Sequence, residues 1–168
     1  MRNKRGQEVF GMSFGVIFSI FLIIFFIVIA FIAIKAFLST QQCAKIEIFK
    51  KDLQYDIDKA WNSQDYSSEF KRNLPSSLQY VCFANVSGSI TATGVEKGIG
   101  EEIQIYGEEN NMFYYPLEKS CDTPDNKIKH LNTGEITKIK NPYCIKLNKG
   151  IISFRIEKGF NDVLVKVR

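Results

Sequence analysis

The sequence predicts an α+β protein: a long N-terminal helix, transmembrane and then amphipathic, packed on a small, mainly antiparallel β-sheet domain. Three observations lead there. Residues 9–34 form a run of 26 without a charge. Neither Gly nor Pro interrupts the chain between Gly15 and Pro75. Beyond Pro75, short alternating segments are separated by turn residues, and helix first with antiparallel strands afterwards places the helix on the sheet. The chain divides accordingly into a basic cytoplasmic head (1–8), a transmembrane helix (9–38) and an extracytoplasmic α+β domain (39–168). The last has about 130 residues, enough for one hydrophobic core.

The apolar run sets the first element. At ~1.5 Å per residue it reaches ~39 Å, more than the ~30 Å hydrocarbon core of a bilayer. A soluble helix of this length would keep a polar face, and residues 14–34 have none. A cleaved secretory signal has a shorter apolar region ending in a small-x-small site. Ala30, Ala33 and Ala36 supply small residues, but the run is too long for that reading. Arg2, Lys4 and Arg5 crowd one flank, while Lys35, Lys45, Lys50 and Lys51 are spread along the other. The positive-inside rule then puts the N-terminus in the cytoplasm and the rest outside.

Two stripes lie side by side on the span. Gly11, Gly15 and Ser19 recur every fourth residue, and Phe10, Phe14, Phe18, Phe21 and Phe25 recur at three and four. Small residues let a second backbone approach, and the Phe ridge beside them fills its groove. That is the arrangement of a helix that associates with copies of itself. The plainer reading is Phe facing lipid, with Gly present because membrane spans tolerate it.

The head reads Arg-Asn-Lys-Arg-Gly-Gln-Glu over residues 2–8. Basic residues, then Gly6-Gln7, then a long apolar helix: this resembles the class III signal peptide of archaeal type IV pilin-like proteins. The resemblance covers the first ~35 residues, and Gly6-Gln7 carries most of it. It implies cleavage between Gly6 and Gln7, with the apolar helix retained and packed in a filament core. Val9 and Gly11 stand where many members have Ser and Glu, and Glu8 sits one position after the new N-terminus. Residues 5–12 are also similar to the N-termini of uncharacterised single-pass archaeal membrane proteins.

Past Ser39-Thr40 the period changes. Cys43, Ile46, Phe49, Leu53, Ile57 and Ala60 keep a three/four spacing with charged residues between them, an amphipathic helix. Asn62-Ser63 is a stop signal, and Trp61 is placed to plug the helix end into a core. Residues 66–75 read as a polar connection. Residues 77–86 read as a strand, with Leu78, Tyr80, Cys82 and Ala84 on one face and Val81 and Phe83 on the other. Residues 87–100, rich in Gly, Ser and Thr, read as a loop or weakly paired hairpin. Residues 101–106 fit a strand or a short helix equally. Residues 112–115 are an aromatic strand closed by Pro116, and 120–126 are turn-rich. Short alternating segments at 127–131 and 135–140 flank the turn Asn132-Thr133-Gly134. Residues 144–147, 151–158 and 163–167, joined by Gly-containing turns, read as a three-stranded meander.

Cys43, Cys82, Cys121 and Cys144 are widely spaced and His130 is the single histidine, so no zinc or Cys-x-x-Cys motif exists. An even count beyond a membrane span predicts two disulfides in an oxidising compartment. Of three connectivities, the expected pair is Cys43–Cys82, tying helix to sheet, with Cys121–Cys144 closing the loop before the meander. Four buried thiols are the alternative. Asn85-Val86-Ser87 is a glycosylation sequon.

The formal net charge of +4 is unevenly spread: residues 84–125 carry two basic and eight acidic residues (−6), and residues 126–168 ten basic and three acidic (+7). Docking of an acidic on a basic face of a second subunit, binding of an anionic polymer or lipid, and plain solvated strand faces all fit. Asp122, Asp125 and Asn126 suggest calcium, but the spacing lacks a twelve-residue loop with its terminal Glu, and a turn fits better. No serine-hydrolase elbow, phosphate loop, zinc-protease helix or dinucleotide fingerprint is present. No catalytic, metal or cofactor-binding residue is expected, and no cofactor. The reading is a non-enzymatic membrane-anchored protein with a structural, assembling role, its partners the lipid bilayer and further copies through the apolar helix. The alternative is an uncleaved protein presenting a disulfide-tied module to a protein or surface-polymer partner. Nucleic acid is not an expected partner outside the cytoplasm.

Overall fold

The computed structural model describes residues 14–106, 109–121 and 126–168. It forms two compact units, Met1–Gln41 and Gln42–Arg168. Helix α1 (Phe14–Trp61) has 48 residues and belongs to both. After Gly15 it contains neither Gly nor Pro, so nothing stops it before Asn62-Ser63. There the stop works as its residue types suggest. Asn62 Nδ2 donates to the Asp58 carbonyl at 2.8 Å, and Ser63 Oγ to the Lys59 carbonyl at 2.9 Å. The Asn62 side chain thus adds a second bond to a carbonyl that Asn62 N already reaches at 3.1 Å, and the Ser63 side chain reaches the next carbonyl of the last turn.

Within Gln42–Arg168 the predicted α+β architecture is present: α1 lies on antiparallel sheet, in two sheets of three strands. The first sheet contains β1 (Tyr66–Asn73), β5 (Ile151–Lys158) and β6 (Lys166–Val167), in the order β1-β5-β6. The second contains β2 (Tyr80–Phe83), β3 (Met112–Tyr115) and β4 (Tyr143–Lys146), in the order β3-β2-β4. The amphipathic stripe of α1 faces them: Ile46, Phe49, Leu53, Ile57 and Ala60 are all buried. Phe49 joins helix to both sheets. Its ring lies 5.5 Å from Phe70 of β1 and 6.0 Å from Tyr114 of β3, both edge-on. Phe83 and Phe154, 6.0 Å apart, join sheet to sheet. Edge-to-face packing of this kind adds to the large area that each ring removes from water.

The second sheet is buried on both faces. Val81, Phe83, Met112 and Tyr114 belong to the α1 core. Cys82, Ala84 and Phe113 belong to a smaller cluster with Ile99 and Ile103. Those isoleucines come from α2 (Val95–Ile103). The strand is shorter than the expected 77–86: within Tyr80–Phe83 the faces divide as the alternation predicts, but Leu78 lies before the strand and packs in the α1 core with Val81 and Phe83.

Four expectations are corrected. Residues 66–75 are not merely a connection, because 66–73 form β1, in register with β5 from Tyr66↔Lys158 to Asn73↔Ile151. Only Phe70 of β1 is fully buried, so its alternation is faint; pairing and the bond from Arg72 Nε to Asp52 Oδ2 of α1, at 2.7 Å, hold it. Residues 87–100 are not all loop. Gly98 and Gly100 weaken helix propensity, yet Ile99 and Ile103 stack four apart on the second sheet. At Gly100 a Cβ would meet Pro142 Cδ at 2.8 Å, so the close approach of the 142 segment requires glycine. Residues 133–136 are a helical turn, α3 (Thr133–Ile136), capped by Asn132 Oδ1 accepting from Glu135 N at 3.1 Å. The terminal segments are not a meander: β4 pairs with β2, and β5 with β1 and β6. The turn does close, with Asn148 N bonded to the Ile151 carbonyl at 2.8 Å, but β4 then leaves for the other sheet.

Candidate functional site

From Gly15 to Gln42 every residue of α1 is exposed. All large apolar side chains from Val16 to Leu38 are among them. Soluble monomers rarely show contiguous apolar patches beyond a few hundred Å². Among the described residues this is the one helix long and apolar enough to cross a membrane. Two of its polar side chains are turned to its own backbone: Ser19 Oγ donates to the Gly15 carbonyl at 2.7 Å, and Thr40 Oγ1 to the Ala36 carbonyl at 3.0 Å. In hydrocarbon no water can satisfy such groups, and a bond to the preceding turn does so. Lys35, the first charge after the run, places its ammonium 4.8 Å above the Phe31 ring. Gly15 and Ser19 stand on one face and Phe18, half exposed, beside them. Gly6, Gln7, Phe10, Gly11 and the Phe14 side chain lie outside the described residues.

Beyond Gln42 the domain is tied by two disulfides, but not with the expected pairing. Cys43 bonds to Cys121 and Cys82 to Cys144; no described cysteine is free. The reason is the strand alternation. Cys82 points to the α2 side of β2, away from α1, so Cys43 cannot reach it. Instead Cys82 lies directly opposite Cys144 across β2 and β4, with Cα atoms 4.0 Å apart. Cys43 meets Cys121, just past the turn at Leu117–Lys119, with Cα atoms 5.6 Å apart.

The polar constellations inside the domain are structural in form. The His130 ring stacks on Trp61, with centroids 3.8 Å apart and planes 2° from parallel, and its Nδ1 lies 2.9 Å from Asp58 Oδ1. Gln54 bonds the same carboxylate through Nε2 and accepts from Lys129 N through Oε1. The end of α1 thus holds the 129–131 segment, and Trp61 is a half-exposed stacking surface rather than a core plug. Burial lifts the Tyr114 phenol far above its usual range, and the Glu47 carboxylate adds to this. Its hydroxyl has no hydrogen-bond partner among the described residues. Lys166 and the Gly159 N–H hold the Asp162 carboxyl below the ordinary aspartate range.

Local ion pairs take up part of the charge in the two segments, and one of them joins the segments to each other. Lys140 contacts Glu96 of α2, bridging the basic and acidic segments. Lys138 pairs with Glu135, Lys166 with Asp162 and Arg168 with Glu157. Among the described residues no three His, Cys, Asp or Glu side chains gather to hold a metal. Asp122 and Asp125 lie outside the described residues, and Asn126 N bonds to Asn110 Oδ1 at 2.9 Å. Asn85 is exposed on the turn after β2. Sequence reasoning missed Asn141, a 6% exposed side chain that organises this turn; its signal, an isolated Asn before Pro142, is too common to read.

These features define a class: a disulfide-tied α+β domain that shares one helix with a single apolar segment of membrane-spanning length. Comparison of the chain with protein-family models, curated proteins and solved structures finds no match.

Proposed function

We propose that the chain is a single-pass membrane protein with a cytoplasmic N-terminus and an extracytoplasmic Gln42–Arg168 unit. Its role is structural: a pilin-like subunit that joins its copies through the apolar helix. One observation carries this reading. Around Gln42 the same helix passes from side chains exposed on every face to a stripe buried in a disulfide-tied core. An apolar surface of that extent calls for lipid or another helix, and two disulfides are at home in an oxidising compartment. The Gly6-Gln7 resemblance supplies the pilin-like part.

An intact mass of the detergent-extracted protein from an archaeal host, with and without reduction, tests it. Loss of residues 1–6 together with a gain of four hydrogens on reduction is the expected result. No gain on reduction removes the support for the outside location. Retention of residues 2–6 removes the pilin-like role and favours the second reading, a bitopic protein presenting a binding module. That reading has its own support in the strongly exposed Ile105, Ile139, Phe160 and Val163 of the domain.

A further inference from the structure

We propose that Asn85 is the acceptor of an N-linked glycan. This rests on the extracytoplasmic placement of Gln42–Arg168. The sequon Asn85-Val86-Ser87 lies on a β-turn that the bond from Gly88 N to the Asn85 carbonyl closes at 3.0 Å. Asn85 and Ser87 are both exposed. The turn is held from beneath by Asn141, which is 6% exposed. Asn141 Oδ1 accepts from Asn85 N at 3.0 Å. Its Nδ2 donates to the carbonyls of Asn85 and Ser89 at 2.9 and 3.1 Å. The bonds that reach Asn85 use only its backbone N–H and carbonyl, and its carboxamide makes no hydrogen bond among the described residues. The fold thus fixes the turn and leaves the reacting group unengaged.

The surroundings suit a neutral, hydrophilic substituent. Residues 84–95 carry no charge and include Ser87, Ser89, Thr91 and Thr93. A Cβ on Gly88 would come within 3.2 Å of Asn85 Nδ2, so glycine there leaves the amide open on that side. The co-substrate class is a glycan carried on a polyprenyl phosphate or diphosphate, delivered by a membrane oligosaccharyltransferase. Asn85 Nδ2 forms a bond to the anomeric carbon, and the bond from that carbon to the phosphate oxygen breaks. The polyprenyl phosphate leaves with the electron pair and the amide gives one proton to a transferase base. Nothing is oxidised or reduced. Ser87 supplies the hydroxyl that the transferase reads.

The full chain is produced in an archaeal host in which a resident sequon-bearing glycoprotein is modified in the same culture. Free thiols are alkylated before reduction. The tryptic peptide 73–97, cut after Arg72 and Lys97, is then weighed. The expected result is a peptide heavier by whole sugar residues, with complete loss of the adduct in both Asn85→Gln and Ser87→Ala. Both variants keep the Asn141 bonds, and resistance of their cysteines to alkylation reports that they fold. A bare Asn85, or an adduct that survives in both variants, overturns the proposal. If the cysteines resist alkylation while Asn85 is bare, the glycan fails and the outside location stands; if all four are alkylated, both fail.

Discussion

Ile27 and Ile57 sit on the same helix, yet one is 62% exposed and the other fully buried. Phe25 and Phe49 form a second such pair, at 51% and 1%. Backbone conformation and residue type are alike, so neither explains the difference. What differs is the period of the neighbouring residues. Around Ile57, the charged residues Lys50, Lys51, Asp52, Asp56, Asp58 and Lys59 stand between the apolar positions and leave one stripe for a core. Around Ile27 no charged residue occurs within a turn in either direction, so the helix offers no side that water would favour. The second half is stabilised by the side chains it touches, while the first is exposed and has the length and apolarity to cross a membrane.

The contrast can be broken or sharpened experimentally. The largest effect should come from the disulfides, which belong only to the second half. They close separations of 78 and 62 residues. Chain entropy assigns such loops about 4 kcal/mol each, to be read from denaturant unfolding of the Cys82→Ala, Cys144→Ala double variant. Phe49→Ala should follow, with a loss of about 3–5 kcal/mol, while Phe25→Ala leaves domain stability unchanged. Equal losses at both positions would end the distinction between the halves. Ile27→Arg reverses the test. It should raise the apparent cost of membrane insertion by about 3 kcal/mol and leave the melting temperature of the domain where it was.

Two smaller effects probe the domain by pH. Tyr114 ionises less readily folded than unfolded because burial opposes its charged form. Its contribution is therefore present below the ordinary phenol value of about 10 and lost as pH rises above it. Tyr114→Phe should remove that alkaline loss. At neutral pH it should change stability by at most about 1 kcal/mol, in the stabilising direction, because the lost hydroxyl had no partner among the described residues. Asp162 runs the other way. Its pKa is lowered in the fold by Lys166, so its contribution is present above the unfolded carboxylate value and fades as pH falls through the folded one. Asp162→Asn should flatten the acid limb of the stability profile slightly, as expected of an exposed pair.

Legibility followed the strength of the local pattern. The stripe from Ile46 to Ala60 and the alternation of Ile152, Phe154 and Ile156 in β5 are regular enough to read directly. β1 is not, because Ser67, Ser68 and Glu69 dilute its pattern and only partner strand β5 makes it a strand. α2 is hidden by two glycines, one of which serves a contact with Pro142 that no local window contains. Trp61 looks like a core residue by type, and its stacking partner His130 is 69 positions away (130 − 61).

By itself, the sequence determined the long α1, the change of period near Thr40, the α+β class and the presence of four cysteines with no metal motif. Each of these depends on residue types within a turn or two of one another. Tertiary structure alone decided the division into two sheets, the place of β4 beside β2 and the pairing of the cysteines. Cys82 was readable as one face of β2, but which face α1 would cover was not. That depends on Phe49 reaching Phe70 and Tyr114 together, a contact between segments that only the folded chain brings within range.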